Sequence, residues 1–346
     1  GRPSWFDHAQ TEQKSAREGV VMIDYSMLGK HMVEGKDAET FLQRVSTNDV
    51  AIEDGRIIYS LMLNERGGIE GDVTIARHDK TRFMVMSAIS HTRRNRDHLQ
   101  HAILTSEDVI IRDVTSTYAV LALSGPLSRA VLETLTDISL SETDFPPYSL
   151  QQFYIGHAPV FAQRLSFTGE MGWEIFITPD FAEYVFEQLY QAGQAYDLRL
   201  AGGEALNALR IEKGFVHWGA DMAYTESPHQ IGLDFACHLD KDIAFTGKAA
   251  YLARKAQAKG PFLCSIKLQQ PDAMLHHNEP VLRDGTIVGF VTSGAFSAAQ
   301  GSAVGLCLIA PPTEKSGFEA LETGDYSVLV EGRTIPAILQ RKAFAR

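Results

Sequence analysis

An α+β fold followed by an all-β unit is what the chain predicts, and three observations carry that expectation. Over roughly the first two-thirds, short apolar runs lead into amphipathic helical stretches, the pattern of layers built from split βαβ units. After about Gly260 the helical periodicity fades. Short apolar runs then alternate with Gly, Pro and Asp, the texture of a small antiparallel barrel or sandwich. Residues 255–261, polar and ended by Gly260 and Pro261, read as the linker between the two textures.

The elements follow in order. Residues 30–46 read as strand, turn and helix, with Asp37 at a plausible N-cap and Phe41, Leu42 and Val45 on one helical face. Residues 72–76 and 82–87 read as paired strands around the turn His78-Asp79-Lys80. Residues 118–136 repeat the strand-to-helix plan through Ser124-Gly125-Pro126, with Leu127, Val131 and Leu135 on one stripe. In residues 174–192 an apolar strand meets Thr178-Pro179, and a helix carrying Phe181, Val185 and Leu189 ends at Gly193. Residues 203–213 form a further helix stopped by Gly214. The late strands are placed at residues 262–268, 287–292, 303–309, 326–330 and 334–339.

Length and composition bound the function. The 346 residues suffice for two or three domains with a sizeable core, and 45% hydrophobic with 22% charged residues is the balance of a globular protein in water. A net charge of −11, from 43 acidic and 32 basic residues, argues against nucleic acid but leaves room for a small anionic ligand in a locally basic pocket. No apolar run approaches the roughly 18 residues of a membrane span. Cys237, Cys264 and Cys307 are far apart in sequence and fit no zinc or disulfide framework, so they read as reduced thiols. His276-His277 lacks an evident third ligand, and no metal site is expected. GxGxxG and P-loop patterns are absent. The chain opens Gly1-Arg2-Pro3-Ser4-Trp5-Phe6 without Met, as a processed piece of something larger would.

Three segments hold residues suited to chemistry. In Asn64-Glu65-Arg66-Gly67-Gly68-Ile69-Glu70-Gly71-Asp72 the two glycines permit a tight turn, and Asp72 then projects at the mouth of the run Val73-Thr74-Ile75-Ala76. Asp72 either caps that turn or faces a bound molecule. In Ser166-Phe167-Thr168-Gly169-Glu170-Met171-Gly172-Trp173-Glu174, strand alternation points Trp173 and Glu174 to opposite faces. Glu174 is either an exposed strand-end carboxylate or an acceptor of two parallel hydrogen bonds from a planar donor pair, such as a pterin edge. In the third, running from Arg210 to Met222, Arg210 and Lys213 suit a helix C-terminus through its dipole. His217 is either a structural residue or a proton carrier.

Together with Leu28-Gly29-Lys30, Phe245-Thr246-Gly247-Lys248 and Thr292-Ser293-Gly294, these segments resemble the glycine-cleavage T-protein (aminomethyltransferase) superfamily over nearly the whole chain. The wording is most similar to the tetrahydrofolate-binding C-terminal half of dimethylglycine and sarcosine dehydrogenases. The resemblance implies a three-domain ring: two interleaved ferredoxin-like domains within residues 1–255, and a C-terminal β-barrel over residues 262–346. It implies tetrahydrofolate in the centre, with Asp72 beside the folate nitrogens and Glu174 gripping the pterin. Leu28, Thr74, Ser87 and Phe167 would line the pocket. Phe167 stands where relatives often carry Tyr, and Leu206 where T-proteins proper tend to carry Arg. The implied activity takes the one-carbon unit of an oxidised N-methyl amine, as iminium or formaldehyde, onto tetrahydrofolate to give 5,10-methylenetetrahydrofolate. An upstream FAD-binding domain would be the partner, and the compartment cytoplasmic, or the mitochondrial matrix in a eukaryote. A stand-alone folate-dependent S- or O-demethylase, or a folate-binding domain without catalysis, are the other readings.

Overall fold

The computed structural model describes residues 2–312 and 317–345. Two sheets interleave in sequence. The six-stranded one runs in the order Arg199–Leu200, Val21–Asp24, Ala119–Ser124, Gly172–Ile177, Ala158–Gln163, Leu150–Ile155. The five-stranded one runs Ile57–Leu63, Ile69–Asp79, Arg82–Ser87, Gly29–Glu34, Ile110–Asp113. The chain therefore starts the first sheet, builds the second, and returns to finish the first. A closed six-stranded barrel follows, from Phe262–Leu268 to Arg333–Gln340. Among the described residues no helix is long and apolar enough to cross a membrane.

Strand alternation sorts each sheet into two apolar faces. Val73 and Ile75 pack with Phe41, Leu42 and Leu99 on the helical side of the five-stranded sheet. Trp173, Ile175 and Ile177 pack with Val131, Val185 and Leu189 on the helical side of the six-stranded sheet. The remaining faces turn toward each other, and Ala76, Met84 and Met86 meet Ala122, Phe161 and Phe176 in one shared seam. The helix Gly203–Glu212 joins the barrel to both: Ala208 and Ile211 pack with Leu61 and Leu63 and with barrel residues Val304 and Leu306. Phe6, on the helix Phe6–Glu18, meets Phe296 edge-on at 4.9 Å. Each body thus touches the other two, and the three close in a ring.

The late strands fall where expected, with one addition. Pro280–Arg283 completes the barrel, pairing with Thr286–Ser297 and Tyr326–Val330. At four residues, opened by a proline, it is too short to stand out as an apolar run. The linker is also shorter than residues 255–261, because the helix Lys248–Gln257 occupies its start. That helix buries only Tyr251, and Thr92–Ala102 buries Thr92, Asn95 and Leu99, so neither shows an apolar stripe in sequence. Asp37 does occupy the N-cap position, but its side chain caps nothing there; it accepts from the Asp108 amide at 2.9 Å instead. The three thiols are free and buried, and pairing of the barrel strands sets Cys264 opposite Cys307.

The glycine turn is tighter than local geometry alone requires. Its strand starts at Ile69, so Asp72 sits inside an 11-residue strand rather than at its mouth. Gly67 has φ +75°, and the Asn64 Oδ1 accepts from the Arg66 and Gly68 amides at 3.0 Å each. Gly68 is needed for a different reason: a Cβ there would lie 1.9 Å from the Tyr224 carbonyl oxygen. Gly68→Ala must push backbone apart, and the expected cost is about 1–3 kcal/mol, as for other overpacked sites. Chemical denaturation of the variant measures it; an unchanged midpoint would show that this turn does not dock against residue 224.

Candidate active site

The site is built across the seam by register. Tyr59 stands opposite Thr74, Thr74 opposite Met86, and Met86 opposite Lys30. Directly paired residues share a face, so these four form one row across the five-stranded sheet. Asp72, two residues before Thr74, lies on that same face. On the other sheet Glu174 stands opposite Gln163 and Ala122, on the face that carries Phe176 into the seam. The Gln163 Nε2 reaches the Met86 Sδ at 3.4 Å, so the two faces are in contact.

Asp72 keeps partial access to solvent while protein crowds round it. Burial pushes its carboxyl up to about 6. The Tyr59 hydroxyl donates to the Asp72 Oδ2 at 3.2 Å and opposes that rise, while the nearby Asp221 carboxylate adds to it. Phe235, 72% exposed, stacks on the Tyr59 ring with centroids 6.1 Å apart.

Glu174 is only 5% exposed, so the exposed strand-end reading is excluded. Its carboxyl forms no hydrogen bond with the described residues. Burial pushes it up to about 8 against the opposing pull of Lys30. Lys30, shut off from solvent, donates from Nζ to the carbonyls of Ser26 at 3.0 Å and Leu28 at 2.8 Å. Burial brings this ammonium down to about 8, with Asp113, Asp24 and Glu174 pulling the other way. The Tyr25 hydroxyl and the Gln163 Oε1 are buried without partners among the described residues.

Of the sequence-derived site residues, Asp72, Thr74 and Glu174 lie on the facing sides of the two sheets. Leu28 and Phe167 pack into the same seam, and Phe167 stacks on Phe215 at 6.0 Å. Ser87 departs. It follows Met86, so alternation turns it away from the row, to the face of Val85, and its hydroxyl is buried without a partner. Tyr59, Lys30, Tyr25 and Gln163 were not anticipated. Nothing local marks Lys30, which shares its strand with His31 and Glu34; like the others it becomes visible only through the tertiary structure.

Arg210 has a role beyond the helix dipole. It is 5% exposed and its Nη1 lies 2.6 Å from the Asp221 Oδ2, while Nη2 donates to the Ser293 Oγ at 2.7 Å. The Thr292 Oγ1 donates to the Asp221 Oδ1 at 2.6 Å, so the pair clasps the helix Gly203–Glu212 to a barrel strand. The His217 amide donates into the same carboxylate at 2.9 Å, and burial followed by the Arg210 charge holds the His217 ring below its ordinary pKa.

The class of protein follows from the fold. The chain superposes on the crystal structure of the glycine cleavage system aminomethyltransferase T from Bartonella henselae with a TM-score of 0.83, covering 97% of this chain and 89% of that one at 22% identity. That likeness shows an aminomethyltransferase fold. Residues 1–241 match the GCVT N-terminal domain, and residues 262–345 match the glycine cleavage T-protein C-terminal barrel domain. The chain belongs to the glycine cleavage T-protein family. It is 35% identical over 344 residues to the 4-methylaminobutanoate oxidase (formaldehyde-forming) of Paenarthrobacter nicotinovorans, covering 99% of this chain and 41% of that protein. It is 32% identical over 297 residues to the mitochondrial dimethylglycine dehydrogenase of Rattus norvegicus, covering 86% of this chain and 34% of that protein. The chain thus spans well under half the length of these two relatives.

Two predictions follow from the buried charges. Asp221 is fully buried, so Asp221→Ala strands the Arg210 guanidinium and should cost about 3–5 kcal/mol in denaturant unfolding; a loss under 1 kcal/mol would refute the clasp. Glu174 has a folded pKa of about 8 against an ordinary 4.5. Its raised value means the folded state holds the proton more tightly. The stability it lends is therefore complete below pH 4.5 and lost as pH rises through about 8. Glu174→Gln cannot ionise, so its melting temperature relative to the wild type should climb across that window and level off above it; a flat difference would show that the carboxyl is not buried.

Proposed function

We propose that this chain is a tetrahydrofolate-dependent one-carbon acceptor unit serving the oxidation of an N-methyl amine. Two carboxyls with raised pKa values, on faces of two sheets that turn toward each other, are the observation that carries this reading. The names of the two relatives supply the substrate class: both act on N-methylated amines, and one forms formaldehyde. A flavin-bearing unit in the same protein or in a partner would perform the oxidation. Residues 1–255 would bind folate, and the barrel of residues 262–346 would brace them through the Arg210–Asp221 clasp.

The residues present suit the ligand. Glu174 offers a buried carboxyl with no hydrogen bond to the described residues, the complement of a ring N–H and an exocyclic amine side by side. Lys30 stands near enough to favour its ionised form. Tetrahydrofolate, when bound, supplies the amine nitrogens that take up the one-carbon unit. Asp72 then has two tasks. Its carboxylate steadies positive charge developing at the incoming carbon, and it accepts a proton as the nitrogen bonds. A pKa of about 6 suits both, because the group is ionised at neutral pH yet basic enough to take a proton. Tyr59 holds the carboxyl in place through its hydroxyl.

The test is turnover with formaldehyde and tetrahydrofolate, measured above the uncatalysed background. Asp72→Asn should keep the wild-type circular dichroism and lose on the order of 10²-fold in rate. The wild-type rate should rise with pH through about 6, and the variant should lack that rise. Equal rates for the two proteins would overturn the role of Asp72. Tight folate binding by a wild type without turnover would leave a binding domain only.

A further inference from the structure

The fold leaves polar groups around Glu174 unfinished. Gln163 is fully buried and stands directly opposite Glu174 across two paired strands. Among the described residues its Nε2 has only the Met86 thioether for company, at 3.4 Å, and its Oε1 has no partner. A thioether is a weak acceptor. Tyr25 is 7% exposed, packed in the same seam, and its hydroxyl has no partner among the described residues. The Glu174 charge is near enough to raise the Tyr25 pKa further, although burial is the larger cause, and no hydrogen bond joins the two. Tyr25 therefore remains a neutral phenol able to donate. The Lys30 Nζ is already committed to two backbone carbonyls.

An unpaired buried donor or acceptor works against folding, and native interiors keep few of them. Here a phenol, a carboxyl and an amide oxygen, all short of partners, gather where two sheets face each other. Apolar residues would serve the seam better if packing were their only task. The set has the pattern donor, acceptor, acceptor. Its complement is a planar edge reading acceptor, donor, donor.

We propose that Tyr25 and Gln163 are specificity-determining residues on either side of Glu174, selecting the 2-amino-4-oxopyrimidine edge of the ligand. The Tyr25 hydroxyl donates to the ring carbonyl. Glu174 accepts from the ring N–H and from one proton of the exocyclic amine, and the Gln163 Oε1 accepts the other amine proton. This inference rests on the folate reading above and adds to it the two residues that discriminate the ring.

Calorimetric titration of the wild type, Tyr25→Phe and Gln163→Met with tetrahydrofolate and with its 2-desamino counterpart tests it, alongside ligand-free melting curves. Each substitution should weaken tetrahydrofolate binding about tenfold, the fold-change that one hydrogen bond's net contribution corresponds to. Ligand-free melting temperatures should hold or rise, because an unpartnered polar group has been removed. With the desamino ligand the Gln163→Met penalty should vanish, while the Tyr25→Phe penalty persists. If wild type and variants bind tetrahydrofolate equally well, the assignment is overturned and the folate reading stands. If melting temperatures fall and both ligands lose affinity alike, the two residues are structural and the assignment is likewise overturned. A wild type that binds no tetrahydrofolate would sink the folate reading itself, and this inference with it.

Discussion

The seam between the two sheets is the constraint on which the structure depends. Each sheet must cover two apolar faces. Helices cover one face of each, and the sheets cover the other for one another. Into that seam the sequence places Glu174 on one side and Lys30 on the other, groups that cost several kcal/mol to remove from water. Their mutual attraction offsets part of the cost, and burial still moves both toward their neutral forms. An interior under selection for packing alone would exclude them. Their presence costs the fold stability that apolar side chains would not cost.

The two carboxyls differ because their surroundings differ. Glu174 is closed in, without a hydrogen bond, and is pushed up furthest. Asp72 keeps partial access to solvent and the Tyr59 hydroxyl, and rises less. One environment suits a group that ionises on meeting a donor pair. The other suits a carboxylate that is charged at neutral pH and can still take a proton. Environment separates the proton affinities of two chemically similar side chains.

The barrel contributes more than a cap on the ring. Asp221 is held by Arg210 from the helix Gly203–Glu212 and by Thr292 from a barrel strand. The same carboxylate raises the pKa of Asp72. A clasp that joins the bodies therefore also helps set the proton affinity of Asp72, so the position of the barrel and the electrostatics of the seam are physically linked.

Much of this was readable along the chain. Alternation and periodicity located some strands of each texture, residues 82–87 and 303–309 among them, though not Ile57–Leu63, Leu150–Ile155 or Ala158–Gln163; they also gave the opposite directions of Trp173 and Glu174 and the helix stopped at Gly214, because these depend on residues a few positions apart. Motif wording identified the family and nominated Asp72 and Glu174. Helices with thin apolar stripes escaped notice, and Ser87 was placed with the pocket although its neighbour Met86 is the residue that faces the seam. Only tertiary structure decided that Glu174 is buried, that Tyr59 reaches Asp72, and that Lys30, Tyr25 and Gln163 gather near one carboxyl. Burial and strand register are long-range properties: a pKa is set by atoms that arrive from distant parts of the chain, and no local pattern of residues encodes their arrival.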